Sequence, residues 1–147
     1  MSRIPIGKTL TGGVLAGLVL AACDFVINNY ILATDWADAA HLRNVDLGAM
    51  GGTSALVLMV ALDLFMGQII VVAYAAIRPR FGPGAATASI AAFLLFVPEA
   101  VVLATFAGLF ISWQLYIRQI SLILVSMLAA GIAGAWVYGR EADDPID

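Results

Sequence analysis

Cysteine and histidine occur once each in this chain, as Cys23 and His41, and only 12% of the residues are charged. A single cysteine excludes an intramolecular disulfide and any cysteine-based metal cluster. The lone histidine lies in a hydrophilic segment, and Cys23 is followed directly by Asp24, which disfavours a thiolate. No nucleophile–base arrangement is left. The glycine-rich "GGVLAG" has no strand before it and no βαβ unit around it, so it is not a dinucleotide fingerprint. No enzyme activity, cofactor or metal is therefore expected. Lys and Arg number seven against ten Asp and Glu, a formal charge of −3. Much of that excess is the acidic tail "READDPID", and nothing in the balance favours a nucleic-acid partner.

What the chain has in abundance is apolar surface. Of its 147 residues 63% are hydrophobic, where a soluble domain has about half. Roughly 20 apolar residues in a helix cross a hydrocarbon core of about 30 Å. Four stretches reach that length, at about residues 10–32, 49–77, 85–111 and 120–138. Their short connections predict one membrane domain, 1–147, folded as an all-α antiparallel bundle of four transmembrane helices. Lys and Arg near the helix ends set the orientation. With the N-terminus inside, Arg3, Lys8, Arg78, Arg80 and Arg140 are cytoplasmic and only Arg43 and Arg118 face outward. Both termini are thus expected in the cytoplasm, and the lipid bilayer is the first partner.

"LAAC" at residues 20–23 resembles a bacterial lipoprotein signal, whose cleavage would remove the first span. The apolar character continues through "FVINNYIL", however, where a lipidated cysteine is normally followed by a polar linker. A retained span with a small, core-facing Cys23 is the expectation. The first outer loop, "ATDWADAAHLRNVDLGAMGGT", predicts a short surface helix capped by Thr34 or Asp35 and anchored by Trp36, Ala40 and Leu42. Asp35, Asp38 and His41 recur every third residue, a spacing that spreads ligands around a helix instead of gathering them.

The second connection, "IRPRFGPG", is a tight turn. Pro79 disfavours helical geometry at Arg78 and is expected to end the second span there. Arg78 and Arg80 are candidate anchors for anionic headgroups. The longer segment "AYAAIRPRFGPG", with the opening "GGVLAGLVL" and the closing "AGAWVYGRE", resembles a group of small bacterial four-span membrane proteins of unassigned function. The resemblance implies the fold and an intact first span, and a bacterial inner (cytoplasmic) membrane location is expected. It implies no activity.

The spans hold no Lys, Arg or His away from their ends, yet each of the first three holds one acid: Asp24, Asp63 and Glu99. Glu99 follows Pro98 directly, so a bend is expected beside it and Pro98 is a candidate hinge. Counted from the cytoplasmic ends, Asp24 is 14 residues beyond Leu10, Asp63 is 15 from Arg78 and Glu99 is 15 from Gly84. At 1.5 Å per residue all three fall at about 21–22 Å, one common level. Gly17, Ala21, Asp24 and Asn28 share a face of the first span. Asp63, Gly67 and Ile70 share one on the second, and Ala130, Gly134 and Tyr138 line the fourth. Asn28, Asn29 and Gln68 are the supporting polar residues.

Protonating an ordinary carboxyl at pH 7 costs roughly 4 kcal/mol. Holding three like charges together without a basic partner costs more, so at least two of the acids are expected to be neutral at rest. Helix–helix hydrogen bonds in membranes average only about 0.6 kcal/mol, against an insertion cost of about 2.5–3.5 kcal/mol for a central Asp. Structural glue is a weak reason for three acids. The leading expectation is a shared proton or cation site in a transport protein, assembled as a homo-oligomer. The alternative is an accessory or assembly subunit of a larger membrane complex, docking through its small-residue stripes.

Overall fold

The computed structural model describes residues 5–44, 52–109 and 111–140. Arg3, Asp46, residues 49–51 of the expected second span, residue 110 of the third and the acidic tail beyond Arg140 lie outside the described residues. The described chain is helical: α1 (Ile6–Val26) continues through a π turn (Ile27–Ile31), then α2 (Ala33–Leu42), α3 (Thr53–Phe81), α4 (Ala85–Ala104) and α5 (Trp113–Arg140). Four helices, Ile6–Ile31, α3, α4 and α5, are long and apolar enough to cross a membrane.

The helix ends differ from the sequence expectation, each for a local reason. The second span does not stop at Arg78; α3 runs through Pro79 to Phe81. So near the C-terminus a proline forfeits little more than one backbone hydrogen bond. The stop comes from Gly82, at φ 83°, whose N–H donates to the Arg78 carbonyl at 2.9 Å. The third span is shorter than expected, ending at Ala104, and Gly108 turns the chain at φ 78°. The fourth starts earlier, at Trp113. The Ser112 hydroxyl accepts the Leu115 N–H at 3.1 Å, as an N-cap does. Polar Gln114, Arg118 and Gln119 hide that first part of the helix from a hydropathy reading.

The short α2 is present, but Thr34 and Asp35 do not cap it. The chain enters α2 straight from the π turn, and both residues lie inside the helix. Trp36 packs with Ile27, Leu32, Ala107, Ile111 and Leu115, fastening α2 over that end of the bundle. Arg118 adds an exposed ion pair to Asp35 at 2.8 Å. Exposed pairs contribute about 0–1 kcal/mol, so Arg118→Gln is expected to lower thermal stability in detergent by no more than that. A larger loss would mean that α2 is held chiefly by charge.

Small residues fill the centre and large ones the outside. Ala16, Ala88, Ala91, Ala92 and Ala130 are fully buried, while Leu10, Leu58, Phe65, Val101 and Val125 are exposed. This inverts the arrangement of a water-soluble bundle and suits helices that associate by close backbone approach in lipid. α1 lies against both α3 and α5. A Cβ on Gly17 would fall 2.5 Å from Leu64 Cα, and one on Gly12 would fall 2.7 Å from the Gly134 carbonyl oxygen. The stripes proposed on the first, second and fourth spans are therefore consumed inside the bundle. They are not free docking faces.

Candidate functional site

The register of α1 against α3 decides how the acids meet. Gly17 faces Asp63 and Leu64, and Gly13 faces Gln68, so numbers rise along one helix as they fall along the other. Asp24 lies seven residues beyond Gly17, which at 1.5 Å per residue is about 10 Å along the axis. Asp24 is therefore not level with Asp63, as counting from the span ends implied. That count took Leu10 to be level with Arg78. Leu10 instead lies beside Gln68 and Val72, because α3 extends past the start of α1 to Phe81. The result is an offset, with Asp63 set back from Asp24 towards the α3–α4 turn.

The three carboxylates still belong to one electrostatic neighbourhood. Asp63 lies near both Asp24 and Glu99, and Glu99 near Asp24. Asp63 is the most enclosed, with 9% of its surface exposed. Its Oδ2 is buried and has no hydrogen-bond partner among the described residues. Asp24 and Glu99 are partly buried. Among the described residues no three His, Cys, Asp or Glu side chains are close enough to hold a single metal ion. Carboxyls stepped along a bundle can pass a proton between neighbouring positions; they are poorly placed to wrap one ion together.

The supporting residues divide. Asn28 Nδ2 donates to the Asp24 backbone carbonyl at 2.9 Å, and its Oδ1 accepts the Trp36 indole N–H at 3.1 Å. Asn28 thus braces the π turn beside Asp24 and ties it to α2. Asn29 is exposed and donates to the Phe25 carbonyl at 2.9 Å, away from the cluster. Gln68 Nε2 donates across to the Leu10 carbonyl at 3.0 Å, joining α3 to α1. Its role is helix packing. Pro98 is exposed and lies within α4 without ending it.

Two features escaped the sequence reading, the hydrogen bond of Tyr116 and the burial of Gln119. Tyr116 Oη donates to the Ala100 carbonyl at 3.1 Å, one residue from Glu99, and so ties α5 to the acid-bearing part of α4. Gln119 has a buried Oε1 that, like Asp63 Oδ2, has no partner among the described residues. Both precede residue 120, where the apolar run of the fourth span begins. The available signal was a Tyr and a Gln at i, i+3 just ahead of that run, a spacing that places both on one helix face. No family model matches the chain, and no curated protein or solved structure shows significant similarity to it.

Proposed function

We propose that this protein is a multi-pass membrane protein that carries protons across the bilayer through Asp24, Asp63 and Glu99. The observation that carries this reading is Asp63 Oδ2, enclosed between helices and without a hydrogen-bond partner among the described residues, near two further acids. A carboxyl retained only as glue would be expected to reach a partner, because an unsatisfied buried polar group costs about 1–3 kcal/mol. Intramembrane acids facing a bundle interior are by default proton or ion sites. The stagger favours the proton over a larger cation, since it offers successive sites instead of one cage. No catalytic role is proposed for any residue.

In this reading both termini face the cytoplasm, because Lys8, Arg78, Arg80 and Arg140 then lie inside. The loop resemblance supports a bacterial inner membrane. The glycine contacts leave little room within one bundle, so the working unit is proposed to be a homo-oligomer. The test uses liposomes loaded with a pH-sensitive dye and given a pH gradient. Wild-type protein is expected to speed dye response over empty liposomes. Glu99→Gln is expected to reduce that rate by about tenfold or more, as loss of a proton-transfer group does. No acceleration by wild type under any imposed gradient or potential would remove the transport reading.

A further inference from the structure

A second site lies far from the acids, where the ends of three spans meet. A cavity of about 410 Å³ opens there, lined by Tyr74 and Arg78 of α3, Gly84 and Ala85 at the start of α4, and Trp136 and Arg140 of α5, among others. Ligand pockets commonly run to about 300–1,000 Å³. Neither arginine has a carboxylate partner among the described residues. Both are instead held over aromatic rings, Arg78 at 5.5 Å from the Tyr138 centroid and Arg140 at 4.6 Å from that of Trp136. Such stacking restrains a guanidinium while leaving its N–H fork free for an anion. The start of α4 borders the same space with no side-chain cap, and the Gly84 N–H donates to Tyr74 Oη at 3.3 Å. Exposed amides at a helix start add to the pull on an anion.

The wall on the lipid side is apolar. Ile132 and Trp136 line the cavity and remain 41% and 58% exposed. We infer that the cavity binds the phosphate of an anionic phospholipid, with Arg78 and Arg140 on the phosphate and the acyl chains against Ile132 and Trp136. A soluble phosphate would use the arginines and leave the exposed apolar wall without purpose. The pairing also revises the sequence expectation. Arg78 keeps its part as a headgroup residue, but its partner is Arg140, 62 positions on. Arg80 is exposed and does not line the cavity.

Trp136 is a built-in reporter. In a Trp36→Phe, Trp113→Phe background it is the sole tryptophan, and phospholipids brominated on their chains quench it on contact. The protein is reconstituted in phosphatidylcholine vesicles and titrated with brominated phosphatidylglycerol or brominated phosphatidylcholine. The expected result is stronger quenching per molecule by phosphatidylglycerol, falling about fivefold in relative affinity for each arginine changed to glutamine. Arg78→Lys with Arg140→Lys keeps the charge and guards against misfolding; it is expected to retain a weakened preference. Equal quenching by the two lipids in wild type, or a preference unchanged when both arginines are glutamine, would overturn the proposal. So would loss of the preference in inorganic phosphate but not in chloride of equal ionic strength, which would make the site one for soluble phosphate.

Discussion

Gly67→Val is expected to prevent stable assembly of the bundle. A Cβ at Gly67 would land on the backbone nitrogen of Gly17, and would lie 2.6 Å from both the Gly13 carbonyl oxygen and Gly17 Cα. These are main-chain atoms of α1, so no rotamer change can clear them. The two helices must separate, and the contacts of Asp63, Ile70 and Val71 separate with them. Overpacking by side chains alone costs about 1–3 kcal/mol; a clash with backbone at three points is expected to exceed about 3 kcal/mol, enough to abolish a monodisperse folded fraction in mild detergent. Gly139→Ala is the matched control. Nothing lies within 4 Å of a Cβ there, and alanine favours helix over glycine by up to about 1 kcal/mol. Its melting temperature should hold or rise. Equal tolerance of both changes would show that α1 and α3 are not in van der Waals contact.

Asp63→Leu is expected to stabilise the protein and to abolish proton movement. The substitution removes a buried oxygen that has no partner among the described residues, and replacing unsatisfied polar groups with apolar ones of similar size is often neutral or stabilising. The expected gain is about 1–3 kcal/mol, read as a higher melting temperature, together with loss of dye response in loaded liposomes. Stability and activity moving in opposite directions is the mark of a group retained for function. Were Asp63 architectural, the same change would lower the melting temperature. Asp63→Asn separates charge from shape, since it keeps the volume and cannot release a proton.

Much of this was legible from composition and spacing. Long apolar runs in a chain poor in charge define membrane helices, and faces such as Asp63, Gly67, Ile70 or Ala130, Gly134, Tyr138 are the buried ones. What escaped the sequence was register. Two antiparallel helices can slide past one another without changing the hydrophobicity of either. The glycine contacts choose one offset, so Gly17 meets Asp63, and Asp24 is stepped away from Asp63 instead of level with it. One proline signal misled for a related reason: Pro79 lies inside a helix whose end is set elsewhere, at Gly82. The meeting of Arg78 and Arg140 at one cavity stayed hidden because the two lie on helices distant in sequence. A single chain read along its length gives no sign of such meetings.

Infrared difference spectroscopy of the reconstituted protein across a pH step reads out whether these acids exchange protons. The predicted result is a set of carboxylic C=O bands that appear and vanish reversibly with pH and shift in heavy water. One component should be lost in each of Asp24→Asn, Asp63→Asn and Glu99→Gln. Carboxylic bands that persist unchanged across the range in which the protein stays folded would mean that the acids never release their protons, and proton transport through them would be ruled out.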